Sequence, residues 1–273
     1  MRRQPVPAKI NLALVVGAPR GDGLHEVATV LQRIDVCDWI TVRDGERLAV
    51  EGFAGDTIVR AALGRLADAA GIEPRWRVRL EKRIPVAAGL GGGSADAAAA
   101  LRLANARLPE PLAPERLHEV AAGVGSDVPF FLQPGPKLAE GAGERLTPLT
   151  LPQDYWVVVA VPRRARKLST ADVYGRFDSL GGADGFAERR EHLLSGLAAC
   201  RRPRDLAAFP PNDLGEAAGR SPLVAMLAAR AFRADVSGAG PAVYGLFHHL
   251  RDARAAALRV RPRARAWVTA PVW

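Results

Sequence analysis

The segment Pro85–Asp96, PVAAGLGGGSAD, restricts this chain more than any other stretch. It sets Gly89, Gly91, Gly92 and Gly93 within five positions and then runs into Ala95–Leu101, ADAAAAL. Backbone without Cβ atoms can curl and aim its N–H groups at one point. A helix expected from Ser94 adds first-turn N–H groups and the positive end of its dipole. Together they make a cradle for phosphate. The competing reading is a flexible loop ahead of an alanine helix. No GlyLys[Ser/Thr] closes the segment, so it is not a Walker A loop, and the surrounding pattern does not match the dinucleotide fingerprint.

The chain has 273 residues, long for one core, which predicts two domains or one large α+β unit. Strands and helices mix without strict βα alternation, which favours α+β over a doubly wound sheet. The formal net charge is +9. The dense basic spots Arg163–Lys167, Arg201–Arg204 and Arg259–Arg265 lack interleaved aromatics that would stack bases, so no nucleic-acid partner is expected. The excess suits polyanionic small substrates. Only four of the basic side chains are lysine, namely Lys9, Lys82, Lys137 and Lys167. A compact ammonium whose pKa can shift does what arginine cannot, so each lysine draws notice; Lys137 and Lys167 are read as chance survivals. Cys37 and Cys200 lack metal-type spacing, which argues against a disulfide scaffold or zinc site and agrees with a cytoplasmic protein. No apolar run reaches membrane-spanning length, and Asn11 interrupts the short apolar start that imitates a signal peptide. No membrane partner is expected.

Periodicity predicts strands at Ile10–Val16, Glu26–Asp35, Trp39–Val42 and Arg75–Glu81, the last with Trp76, Val78 and Leu80 on one face. Asp56–Ala70 reads as a helix burying Ile58, Ala61, Ala62, Leu66 and Ala69, followed by helices at Ser94–Arg107 and Pro114–Ala122. Tyr155–Val161 is a continuous apolar run of the kind buried on both faces. Beyond it come helices at Ser169–Phe177, Phe186–Cys200, Leu223–Ala231 and Arg251–Leu258, and strands at Arg233–Val236, Ala242–Phe247 and Arg265–Thr269. A domain boundary is expected near Leu149–Gln153, dividing residues 1–150 from 151–273.

Four pieces stand in order: PAKINL at Pro7–Leu12, the glycine segment, GSDVPFF at Gly125–Phe131 and SGAGPAV at Ser237–Val243. In these the chain resembles the GHMP kinases, over nearly its full length. The PAKINL opening, the stretch Asp22–His25 and the GSDVP segment are similar to the branch acting on cytidine-diphosphate-linked methylerythritol in the non-mevalonate isoprenoid route. The resemblance implies a two-domain α+β fold, with the active site in the cleft between an N-terminal domain and a ferredoxin-like C-terminal domain. It also implies ATP and Mg²⁺, with the ion carried mainly by the nucleotide, since no metal-binding cluster is visible.

Phosphoryl transfer needs an acceptor oxygen in line with the γ-phosphate and a way to manage the charge of the transferring group. Pro85, Val86, Ala87, Ala88, Gly89, Leu90, Gly91, Gly92, Gly93, Ser94 and Ala95 would hold the ATP phosphates, and Gly238 and Gly240 would bring in a second backbone segment. Asp127 is the expected general base for the substrate hydroxyl; its alternative is a turn aspartate between Gly125 and Pro129. Lys9 heads an apolar strand where an unpaired ammonium is costly to bury, a cost that pairing with Asp127 and a phosphate would offset. By resemblance Asn11 and His25 lie at the substrate, the Asp22–His25 stretch holds cytosine, and Tyr174 stacks on the base. Leu24 stands where the family often has Tyr, and Asp56 where its adenine-side segment often has Asn. The rival readings are a sister kinase for mevalonate or homoserine, or a non-catalytic Arg-rich RNA-binding protein.

Overall fold

The computed structural model describes residues 3–164 and 168–273, so Lys167 and the last three residues of the Arg163–Lys167 run lie outside the described residues. In chain order the elements are β1 (Gln4–Pro19), β2 (His25–Asp44), β3 (Ala49–Glu51), α1 (Ile58–Ala70), β4 (Trp76–Glu81), α2 (Gly92–Asn105), α3 (Pro114–Ala122), α4 (Val128–Leu132), β5 (Lys137–Gly141), β6 (Arg145–Pro148) and β7 (Trp156–Pro162). Then follow α5 (Thr170–Ser179), α6 (Phe186–Ala199), a 3₁₀ turn (Pro203–Ala208), α7 (Leu214–Ala217), α8 (Pro222–Ala228), β8 (Arg233–Val236), β9 (Val243–Phe247), α9 (Leu250–Val260), β10 (Ala264–Thr269) and β11 (Pro271–Val272). The α+β expectation holds. The residues form two compact units that interleave along the chain.

One unit comprises Val36–Val86, Gly91–Pro134 and the N-terminal residues through Ala8. Here β2 pairs antiparallel with β4 from Trp39↔Glu81 to Asp44↔Trp76, and β3 runs parallel to β4. Trp76, Val78 and Leu80 are buried as their alternation predicts. Helix α1 buries Val59, Ala62, Leu63, Leu66 and Ala67. The predicted face was turned by one position, because alanines at several phases blur the stripe and the larger Val59 and Leu63 decide it. Ile58 is left exposed. Helix α2 packs against α1 and α4.

The other unit comprises Lys9–Asp35, Ala87–Leu90 and Gly135–Trp273. In it β2 pairs antiparallel with β5 from Val27↔Gly141 to Leu31↔Lys137, β5 pairs with β6, and β11 with β2. The two strands expected at Glu26–Asp35 and Trp39–Val42 are one strand, β2. The strand runs unbroken through Val36, Cys37 and Asp38: the Asp35 N–H donates to the Ala270 carbonyl at 3.0 Å, and Asp38 is fully buried. The second sheet has the order β10-β7-β9-β8, antiparallel throughout. Numbered from β7, that is 4-1-3-2, the ferredoxin-like arrangement. Val157, Val158, Val159 and Ala160 of β7 are fully buried, and Leu227, Ala256, Ala257 and Val260 of α8 and α9 pack in the same core as Val158 and Ala160. The β5–β6 hairpin and the short helix α4 carry too little periodicity to be read from sequence, whereas α7 begins at Leu214, where Asn212–Leu214 after the break at Pro210–Pro211 predicts a helix start.

Candidate active site

The glycine segment folds as a curled loop, Pro85–Gly91, ahead of α2. Ala87, Gly89 and Gly91 have φ of 51°, 84° and 68°, while Ala88 and Leu90 between them do not take positive φ. Alternation of left- and right-handed residues is the backbone pattern by which successive N–H groups can turn to one side, as in anion-binding concavities. The side chains of Ala88, Leu90 and Ala95 are buried, Val86 is exposed, and Pro85 is half-buried. Helix α2 starts two residues earlier than Ser94: Gly91 is its N-cap, no side chain caps it, and the Ala95 N–H donates to the Gly91 carbonyl at 2.8 Å. Ser94 is therefore a first-turn residue rather than the first residue of the helix. Gly92, Gly93 and Ser94 supply first-turn amides, which no intrahelical carbonyl can reach.

Ala87–Leu90 is laced to the second glycine turn. The Ser237 hydroxyl donates to the Gly89 carbonyl at 2.9 Å, and the Ala242 N–H donates to the Ala88 carbonyl at 2.9 Å. A Cβ on Gly89 would stand 2.1 Å from the Ser237 carbonyl oxygen, so no other residue fits without displacing the backbone. Gly238 and Gly240 take φ of 56° and 70°, and the Gly240 N–H donates to the Ser237 carbonyl at 3.0 Å. The Lys9 N–H donates to the Leu90 carbonyl at 2.9 Å, which ties β1 to the same loop.

Lys9 is buried, and its Nζ donates to Asn11 Oδ1 at 2.8 Å. Asn11 Nδ2 donates to Thr29 Oγ1 at 2.8 Å, and that hydroxyl donates to the Ala13 carbonyl at 2.7 Å. The ammonium at the head of β1 is thus inside the protein and oriented, not a solvated strand end. A Cβ on Gly238 would lie 3.5 Å from Asn11 Oδ1. Lys9, Asn11, Gly89 and Gly238 therefore gather in one place. Behind the turn, Asn212 Nδ2 donates to the Gly238 carbonyl at 2.7 Å and the Val236 carbonyl at 3.0 Å, while the Asn212 N–H donates to Asp235 Oδ2 at 2.9 Å. Burial pushes the Asp235 carboxyl up against the pull of Arg233, whose Nη2 lies 3.2 Å away. Asn212 was visible in sequence only as a helix start after Pro210–Pro211.

In the other unit Asp127 is half-buried at the start of α4, and the Val128 N–H donates to the Gly125 carbonyl at 3.0 Å. It does not cap α4 with its side chain. Because α4 packs on α2, the Asp127 helix and the first-turn amides of α2 belong to one packed body. Asp56 accepts from the Val59 and Arg60 N–H groups at 3.0 and 3.2 Å, so its carboxylate serves the first turn of α1.

Lys82, flagged by the scarcity of lysine, sits between two carboxylates on the strand that feeds the loop. Its Nζ donates to Asp38 and, at 2.6 Å, to Asp96 Oδ2. Asp38 also accepts from the Arg83 and Ile84 N–H groups at 2.5 and 2.8 Å, pinning the entry to the loop. Asp96 Oδ1 is buried with no partner among the described residues. Burial lowers the Lys82 pKa, and the two carboxylates more than reverse that, so the ammonium is held above its ordinary value. One ammonium does not satisfy two buried acids, and the better-partnered Asp38 leaves Asp96 to take the proton. Desolvation, with Asp38 and Asp56 nearby, pushes the Asp96 carboxyl up to about 7 against the attraction of Lys82. The folded state then binds a proton that the unfolded chain, with its ordinary aspartate, releases near pH 4. Stability should fall as pH rises from about 4 to 7 and level off above, by the order of 2–4 kcal/mol from this group. Urea unfolding at pH 5 and pH 8 should show that slope in the wild type and a flatter one in Asp96→Asn.

Lys137, read as a chance survival, is buried in β5, and burial, then the Arg33 guanidinium, lower its pKa. At the turn from β1 to β2, the Leu24 N–H donates to Asp22 Oδ1 at 3.0 Å, and Leu24 is 52% exposed. This turn delivers His25, whose ring lies 4.7 Å from that of Tyr174 and 6.3 Å from that of Phe177. Tyr174 and His25, 149 positions apart by their numbers, are thus neighbours.

A family model described as "GHMP kinases N terminal domain" matches residues 56–135. A 4-diphosphocytidyl-2-C-methyl-D-erythritol kinase of Anaeromyxobacter sp. (strain Fw109-5) is 39% identical over 271 residues, covering 95% of this chain and 86% of that protein. The solved structure of a 4-(cytidine 5'-diphospho)-2C-methyl-D-erythritol kinase superposes with a TM-score of 0.79 at 33% identity, covering the whole of both chains. A mevalonate kinase structure reaches a TM-score of 0.77 at 12% identity, covering 100% of this chain and 99% of its own, and so shares the fold alone. With 39% identity sustained along almost its entire length, the chain belongs to the 4-diphosphocytidyl-2-C-methyl-D-erythritol kinase family of GHMP kinases.

Proposed function

We propose that this protein transfers the γ-phosphate of ATP to the 2-hydroxyl of 4-diphosphocytidyl-2-C-methyl-D-erythritol, as a cytoplasmic enzyme of the non-mevalonate isoprenoid route. The observation that carries the reading is the bracing of the curled loop at Gly89 against Ser237, beside the oriented Lys9–Asn11 pair. The relatives' activity, given by their names, supports the acceptor. In functional terms we take residues 1–150 to carry the nucleotide loop and catalytic residues, and residues 151–273 to complete the substrate site.

The segment Pro85–Ala95 wraps the phosphates, with the first-turn amides of Gly92, Gly93 and Ser94 donating to them, and the turn at Gly238 and Gly240 lets a second backbone segment approach. Asp127 accepts the proton of the acceptor hydroxyl as its oxygen attacks phosphorus in line with the leaving ADP. Lys9, held by Asn11, offsets charge on the transferring group. Among the described residues no group of three or more His, Cys, Asp or Glu side chains could hold a metal ion. Mg²⁺ would travel on the nucleotide's phosphate oxygens and neutralise their charge, and the Ser94 hydroxyl in the first turn of α2 is an oxygen donor of the kind that ion takes. His25 and Tyr174 hold the cytosine.

A coupled ADP-release assay comparing the cytidine-diphosphate alcohol with mevalonate and homoserine tests the reading. Turnover of the first alone is expected; turnover of mevalonate or homoserine alone would overturn it. Leu24→Tyr should lower KM for the cytidine substrate about 3- to 5-fold, because an aromatic at this exposed turn adds roughly 1 kcal/mol of stacking. Steady-state KM values for the two proteins check this.

A further inference from the structure

The mechanism leaves one polar contact of His25 without a role. Its Nε2 lies 2.8 Å from Asp178 Oδ1, across 153 positions of sequence. His25 is the first residue of β2, and Asp178 lies in the last turn of α5. The imidazole is clamped: its side chain is 10% exposed, with Tyr174 tilted at 40° on one side and Phe177 edge-on at 78°. Exposed Leu24 and Leu180 stand in the chain next to this cluster, at the turn before His25 and just past α5. The patch is aromatic and aliphatic, with one polar group held at a set angle.

A carboxylate only accepts, so the proton of the neutral ring resides on Nε2. Nδ1 is then a bare acceptor, and the ring makes no other hydrogen bond among the described residues. A base read by such an atom must offer a donor. Cytosine presents an exocyclic amine at the position where uracil presents a carbonyl oxygen, and two facing acceptors repel. We propose that Asp178 is a positioning residue that fixes the His25 tautomer and thereby makes the site select an aminopyrimidine over an oxopyrimidine. This inference rests on the reading that the cytidine ring sits at His25. A site that left Nε2 bare would place the proton on Nδ1 and reverse the preference. Discrimination of this kind comes from the unpaired acceptor left by the wrong base, not from added contact area.

The test compares wild type and Asp178→Ala on the cytidine-diphosphate alcohol and its uridine-diphosphate analogue, together with ¹⁵N spectra of labelled imidazole at pH 8. Wild type is expected to show the Nε2-protonated tautomer of His25 and to favour cytidine. Asp178→Ala should show mixed tautomers and lower the cytidine-to-uridine ratio of kcat/KM about 10-fold, with the loss carried by KM. Asp178→Asn, whose Oδ1 can still accept from Nε2, should recover most of the ratio. An Nδ1-protonated His25 in wild type, or an Asp178→Ala ratio equal to wild type, overturns the inference while leaving the kinase reading intact. A wild type inactive on the cytidine substrate overturns the kinase reading, and the inference with it.

Discussion

Asp127→Asn should lower kcat between about 100- and 10,000-fold while leaving ATP affinity within a factor of about 3. The amide has the size of the carboxylate and keeps the start of α4 packed, since Asp127 makes no capping bond that its loss would break. What it lacks is basicity toward the acceptor hydroxyl. Lys9→Ala should produce a loss of similar size by removing a buried, oriented ammonium whose partner Asn11 is itself held by Thr29. If both side chains serve one transfer step, the double variant should lose far less than the product of the single losses. Single-turnover rates and titration with a non-hydrolysable ATP analogue measure the two effects separately. An Asp127→Asn enzyme turning over at the wild-type rate removes the base assignment.

Gly89→Ala should cut kcat/KM for ATP by at least about 30-fold without unfolding the protein. Two penalties coincide. A φ of 84° is disfavoured for alanine by about 1–2 kcal/mol. The new methyl also meets the Ser237 carbonyl oxygen at 2.1 Å, a backbone atom that yields only by moving the second glycine turn. Relief of the clash pulls the curled amides out of register, so the damage falls on phosphate binding. Gly64→Ala is the matched control: it lies inside α1, and its Cβ would meet nothing within 4 Å. It should leave ATP kinetics unchanged and stabilise the helix by about 1 kcal/mol. Melting curves and ATP saturation curves on both variants separate loop damage from loss of fold.

Local pattern was enough for several things. The alternation of Trp76, Val78 and Leu80 and the apolar run through Val157–Ala160 assigned buried strand faces, because side-chain direction along a strand has a period that neighbours alone establish. The clustered glycines defined a curled loop, and four motifs in order identified the kinase family. Distant contacts decided the rest. The face of α1 shifted by one position, since alanines tolerate either phase and packing chooses between them. Helix α2 begins two residues before Ser94, because the loop itself supplies Gly91 as the cap. Lys82 meets Asp38 across 44 positions, Asn212 holds Gly238 across 26, and His25 meets Asp178 across 153. Whether a polar side chain is solvated or buried with a partner depends on which remote segment folds over it, and desolvation makes that choice costly to get wrong. Composition and periodicity act over a few residues; the burial of charge is settled only when the whole chain has closed around it.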